Sequence, residues 1–163
     1  MSVLKWIIAG VARLVVGVLA AGQFGLLQGT RPDDLGVKAG RLKKPSPTPN
    51  SVSSQADLWP DHPQREGARI DPLPVLQDGP STIRHIAGLV ERLPGAAIVE
   101  RRADYLYVQF TTPTLRFVDD AEFWFDPAAG VVQVRSASRV GRKDFGVNRA
   151  RIEALRSRLA AGR

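Results

Sequence analysis

Three carboxylates, Asp119, Asp120 and Glu122, stand close together in a stretch otherwise rich in strand-forming residues, and Arg135, Ser136, Ser138 and Arg139 follow in the next such stretch. Neighbouring carboxylates suit proton transfer, and arginines beside them hold an anionic group through paired N–H donors. Asp144, Asn148 and Arg149 extend the same polar series. If these residues converge, Asp119, Asp120, Glu122, Arg135 and Arg139 are the catalytic candidates of a hydrolase-like enzyme acting on an anionic substrate. Ser136, Ser138, Asp144, Asn148 and Arg149 are then binding residues around them. The same set also makes sense without a ligand, as a buried ion-pair and hydrogen-bond network that fixes strand register and docks a helix. No nucleophile–base pair is visible. His85 sits off the apolar stripe of its helix and reads as a surface residue, and His62, in Asp61-His62-Pro63, reads as a turn residue.

Bringing those side chains together takes a hairpin. Leu115–Asp126 and Val131–Arg139 read as its strands, closed by Asp126-Pro127-Ala128-Ala129-Gly130. Alternation puts Phe117, Asp119, Ala121, Phe123 and Phe125 on one face and Val118, Asp120, Glu122 and Trp124 on the other. With Phe125 opposite Val132, Glu122 faces Arg135, Asp119 faces Ser138, and Asp120 lies diagonally near Arg139. A slip of one residue undoes every pairing. Ala97–Arg102 and Tyr105–Thr112 read as a preceding hairpin. Helices are expected over Ser81–Leu93, on a stripe of Ile83, Ile86, Ala87, Val90 and Leu93, and from about Phe145 to Leu159, on Asn148, Ile152, Leu155 and Leu159. The expected fold is α+β: a helix, a four-stranded antiparallel meander and a C-terminal helix, both helices on one sheet face. The other face carries Tyr105, Tyr107, Gln109, Glu122 and Trp124. It is either a partner surface or a set of isolated exposed aromatics under the lead-in.

Upstream, Trp6 to Leu27 is almost wholly apolar, interrupted by Arg13 and preceded by Lys5. Counted from Trp6 it reaches the roughly 20 residues that cross a bilayer core. Residues 1–30 therefore read as a single-span signal anchor or as a signal peptide with Ala20-Ala21-Gly22 at its cleavage site. A signal-like segment puts the rest of the chain in the periplasm, whereas Arg31, Lys38, Arg41, Lys43 and Lys44 argue for the opposite orientation. Residues 31–79 form a proline-rich, extended lead-in, since Pro45, Pro47, Pro49, Pro60, Pro63, Pro72 and Pro74 all fall there and each fixes φ and removes a donor. Residues 80–163 form the α+β domain.

Composition narrows the chemistry. The chain has no cysteine and only two histidines, so a thiolate nucleophile, a disulfide and a zinc or haem site lack their ligands, and no metal or cofactor is expected. Residues 135–163 hold nine basic side chains against Asp144 and Glu153, which accounts for the whole net charge of +7. A basic C-terminal face of this kind suits an acidic membrane-protein subunit or anionic lipid. Nothing in it resembles a nucleic-acid recognition motif.

Phe117-Val118-Asp119-Asp120-Ala121-Glu122-Phe123, Val134-Arg135-Ser136-Ala137-Ser138-Arg139-Val140-Gly141 and Asp144-Phe145-Gly146-Val147-Asn148-Arg149 resemble the motifs of the domain of unknown function 1499 family. Leu35-Gly36-Val37, Gly40-Arg41-Leu42 and Pro47-Thr48-Pro49-Asn50-Ser51-Val52-Ser53-Ser54 are similar to its upstream pattern, so the likeness spans roughly residues 35–158. The resemblance implies a membrane-associated, exported or organellar protein behind a signal or anchor, and it brings no reaction. The family also implies cysteines where Ser46 and Ser51 stand; with serine at both positions, any disulfide or redox role of that pair is impossible here. The expectation is a membrane-tethered accessory or binding module, with the hydrolase-like enzyme as its rival.

Overall fold

The structure, a computed structural model, describes residues 3–162. In chain order its elements are α1 (Val3–Gln23), β1 (Ser51–Ser53), a 3₁₀ turn (Ala56–Leu58), α2 (Arg65–Ala68), β2 (Leu73–Pro74), α3 (Gly79–Val90), β3 (Ala96–Arg101), β4 (Tyr105–Thr111), β5 (Val118–Asp126), β6 (Val131–Ser138) and α4 (Val147–Ala161). The α+β class is as expected, but the antiparallel sheet has six strands rather than four, in the order β1-β6-β5-β4-β3, with β2 also on β6. The extra pair comes from the lead-in: β1 lies against Arg135–Ala137 and β2 against Val131 and Val132. Together they cover an edge that would otherwise present unpaired donors and acceptors. Strands of two or three residues show no periodicity to read, and Pro74 is tolerated because β2 is an edge strand.

The central hairpins form as their alternation dictates. Asp119 pairs with Ser138, Glu122 with Arg135 and Phe125 with Val132, the register that puts each apolar set on one face. On that face α3 and α4 pack Ile83, Ile86, Val90, Ile152, Leu155 and Leu159 against Leu106, Val108, Phe123, Val132 and Val134. α3 begins at Gly79, two residues before the expected start, because the Asp78 carboxylate accepts the Ser81 N–H (2.7 Å) as its N-cap and Pro80 suits the first turn.

The opposite face is not open. Tyr105 and Tyr107 are each 1% exposed and Trp124 9%, packed with Leu42 under Leu35 and Val37 of the lead-in. Tyr105, Tyr107 and Trp124 therefore do not form an exposed partner surface; the lead-in folds back because those rings bury more apolar area under Leu35, Val37 and Leu42 than in water. A tight turn helps it do so: Lys38 and Arg41 exchange backbone hydrogen bonds (2.9 and 3.1 Å) around Ala39 and Gly40, both at positive φ.

α1 stands apart from both cores. It is the one described helix long and apolar enough to cross a membrane, with mean hydropathy 2.0, a test that a signal sequence also passes. Its side chains are largely exposed, yet its last turn is keyed to the domain: Gln23 donates to the Thr114 carbonyl (2.9 Å), and a Cβ on Gly22 would sit 2.8 Å from the Leu115 carbonyl oxygen.

Candidate functional site

The polar residues of β5, β6 and α4 do not form one cluster. The strand alternation that places Asp119 toward the helices turns Asp120 and Glu122 to the other face, so the sheet itself divides them.

On the helix face Asp119 accepts from Arg151 Nη2 at 2.7 Å. Arg151 Nη1 donates to the Asn148 amide oxygen (2.8 Å) and to Ser136 Oγ (3.3 Å), and Ser136 Oγ in turn donates to Asn148. The Asn148 amide nitrogen donates to Asp144 (2.9 Å), Ser138 Oγ (3.1 Å) and the Asn50 carbonyl (3.2 Å), while Asn50 Nδ2 reaches the Gly141 carbonyl (2.7 Å). Arg151 also lies over the Phe110 ring, 4.3 Å from its centroid. Asn148 has no exposed surface, and its bonds tie α4, β6 and the lead-in together.

On the other face two ion pairs lie beneath the lead-in. Asp120 accepts from Arg139 Nε (2.8 Å) and Nη2 (2.7 Å) and from the Tyr107 hydroxyl (2.5 Å). This two-point grip raises the Arg139 pKa, and burial raises that of Tyr107. Glu122 is fully buried; its Oε1 accepts from the Gly36 N–H (2.7 Å) and the Tyr105 hydroxyl (2.8 Å). Its Oε2 lies 3.8 Å from Arg135 Nη1, and neither atom has a hydrogen-bond partner among the described residues. Burial pushes the Glu122 carboxyl up, an effect the Arg135 charge opposes only in part, and burial pushes the Arg135 guanidinium down. Arg135 Nε donates to the Lys44 carbonyl at 3.2 Å.

Of the three carboxylates, Asp119 lines a groove: about 360 Å³, walled by Phe117, Ser138, Val140, Asp144 and Phe145. No histidine is hydrogen-bonded to a serine hydroxyl among the described residues. His62 Nδ1 accepts from the Gln64 N–H at 3.2 Å, as a turn residue does. His85 is half-buried rather than solvated, beside Ser81 and Gly162 in a cavity of about 560 Å³.

Three arginines are placed differently from the sequence expectation. Arg149 joins no carboxylate; it donates to the Gly67 (3.0 Å) and Arg69 (2.7 Å) carbonyls. Arg156 binds the Asp71 (2.7 Å) and Pro72 (2.6 Å) carbonyls and Glu153. Arg151, one of the nine basic side chains expected to form a basic C-terminal face, holds Asp119. The bonds that draw all three inward come from segments far away in sequence, so the C-terminal helix does not present a uniform basic face. Arg151 was legible in one respect: it lies one helical turn after Asn148. Asn50 and Gly36 carried no chemical signal of their own.

The family described as "Protein of unknown function (DUF1499)" matches residues 34–159, most of the chain and all six strands of the sheet. No curated protein and no solved structure matches the chain.

Proposed function

The chain belongs to the DUF1499 family, and from that premise we propose a membrane-tethered accessory or binding module with no reaction of its own. In this reading α1 holds the protein to the bilayer, the sheet domain faces the periplasm, and its docking partner is an anionic surface, acidic protein or lipid. The observation that carries it is the closure of the polar clusters: Asp119, Asp120 and Glu122 each face an arginine inside the fold (2.7, 2.7 and 3.8 Å). A general acid or base needs its carboxylate within reach of substrate, and two of the three lie under the lead-in. Within residues 135–162 the cations left for a partner are exposed Arg142, Lys143 and Arg158, which have no acidic side-chain partner among the described residues.

The hydrolase reading retains one foothold, Asp119 at the groove. Thermal unfolding of Asp119→Ala and Asp119→Asn separates the two. A structural Asp119 leaves Arg151 without its counter-charge, and Asp119→Ala then costs on the order of 2–4 kcal/mol. An unshifted midpoint in both variants would sink the structural account. For the address, protease added to intact spheroplasts should degrade the domain; full protection overturns the periplasmic orientation.

A further inference from the structure

Beyond α1 and the turn that follows it, five large apolar side chains are exposed on the described chain: Leu58, Val99, Val140, Phe145 and Val147. Single exposed apolar residues are ordinary, but two of these five, Val140 and Phe145, fall within the short loop from β6 into α4, and Val147 opens α4 directly after it. Phe145 is 94% exposed and Val147 47%. The loop is held in that shape. Phe145 and Gly146 both have positive φ (53° and 82°), a conformation a bulky residue rarely adopts. Asp144 fixes it by accepting the Gly146 (3.1 Å) and Asn148 (2.9 Å) N–H groups. The fold thus spends an unfavourable backbone conformation on aiming an aromatic ring at solvent.

The position of this loop says what the solvent side is. It leaves β6 at the end of the sheet where β4 runs out and β5 begins, and α1 is keyed to that same end through Gly22 on Leu115 and Gln23 on Thr114. The connection after α1 crosses there too: a Cβ on Gly29 would sit 2.8 Å from Arg139 Cβ and 3.6 Å from Val140 Cγ2. Phe24 (83% exposed) and Leu26 (75%) follow the helix directly. α1 spans 21 residues, about 31 Å at 1.5 Å per residue, close to the thickness of a bilayer core. Its C-terminal end therefore lies near the headgroup layer when it spans. Around the apolar group sit exposed Arg116, Arg142 and Lys143, and apolar residues rimmed by cations are the composition of a surface that enters anionic headgroups.

We infer that the β6–α4 loop is a membrane-docking wedge: Phe145 inserts among the acyl chains of an anionic phospholipid bilayer, Val140 and Val147 flank it, and Arg116, Arg142 and Lys143 meet lipid phosphates. This rests on the tethered reading above and adds a second contact that fixes the domain's orientation on the bilayer.

The absence of cysteine makes the test clean. Val147→Cys, which keeps Phe145, and Ala128→Cys, in the turn at the opposite end of the sheet, are labelled in the full chain with an environment-sensitive fluorophore. Each is reconstituted into vesicles containing phosphatidylglycerol and a lipid-borne quencher. The expected result is severalfold stronger quenching at 147 than at 128, weakened in purely phosphatidylcholine vesicles and lost in a Phe145→Ser background. Equal quenching at the two sites, in chains that float with the vesicles, overturns the wedge and leaves the tether standing. A chain that does not float overturns both. A label at 147 already shielded in lipid-free detergent points to a protein contact, a second copy of the chain included, and also overturns the wedge.

Discussion

A charge is stable in a protein interior only when a partner of opposite sign and the right geometry arrives with it, and the carboxylates of β5 differ in how well that is met. Asp120 has two arginine donors and a tyrosine hydroxyl; Glu122 has a backbone N–H, a tyrosine hydroxyl and a guanidinium just beyond hydrogen-bonding distance. Burial is thus the larger influence on Glu122, and its pKa is raised above the ordinary 4.5. The folded state then binds this proton more tightly than the unfolded state does. Its stabilising contribution is complete below about pH 4.5 and is lost as pH rises through the folded pKa. Glu122→Gln removes that titration. In urea melts the wild type should lose stability relative to Glu122→Gln between pH 4 and pH 8. A wild type that gains over the variant with rising pH would mean that Arg135 outweighs burial, the reverse of what the geometry implies.

At the scale of elements, the ends matter most. α3 is capped by Asp78, whose carboxylate is held below its ordinary value by the Ser81 N–H and hydroxyl. A depressed pKa means the cap stabilises above about pH 3.8 and fades as pH falls through the folded value. Asp78→Ala should accordingly lower the melting temperature at pH 7, with the gap narrowing in acid; a gap that widened in acid would contradict the cap. The turn from α3 into β3 is stricter. Gly95 has φ +74°, and a Cβ there would meet the Thr111 carbonyl oxygen at 2.2 Å, a backbone atom at the end of β4, which pairs with Val118 of β5. Gly95→Ala should cost on the order of 2–4 kcal/mol in chemical denaturation, through backbone strain and overpacking together. A variant as stable as the wild type would show that β3 is free to shift.

Over the whole molecule, the lead-in is half of a second core. Leu35, Val37 and Leu42 cover Tyr105, Tyr107 and Trp124, and the Gly36 N–H and Lys44 carbonyl serve Glu122 and Arg135. A chain trimmed to residues 45–162 loses that cover and bares three aromatic side chains, each worth roughly 1.5–3 kcal/mol of burial. Compared with residues 30–162, it should melt at a markedly lower temperature and show red-shifted emission from Trp124. Identical melting and emission in the two would mean that the lead-in packs without stabilising.

What could be read from the residues alone was what depends on local period and composition. The alternation from Phe117 to Phe125 set the faces of β5 and the Asp126–Gly130 turn closed its hairpin, while the register rested on one assumed pair, Phe125 opposite Val132, which the structure contains. The stripes of α3 and α4, the apolar run of α1 and the family motifs were equally local. Contacts over long sequence separations were beyond that reading: the burial of Tyr105 and Tyr107 by Leu35, Val37 and Leu42, β1 and β2 on β6, Arg151 on Asp119, and Arg149 and Arg156 on backbone carbonyls. An arginine reads as solvated until a distant carboxylate or carbonyl is brought beside it, and an aromatic face reads as open until something covers it. Those pairings are chosen by which surfaces bury most and leave fewest donors unpaired once the chain has folded, so the tertiary structure alone decided them.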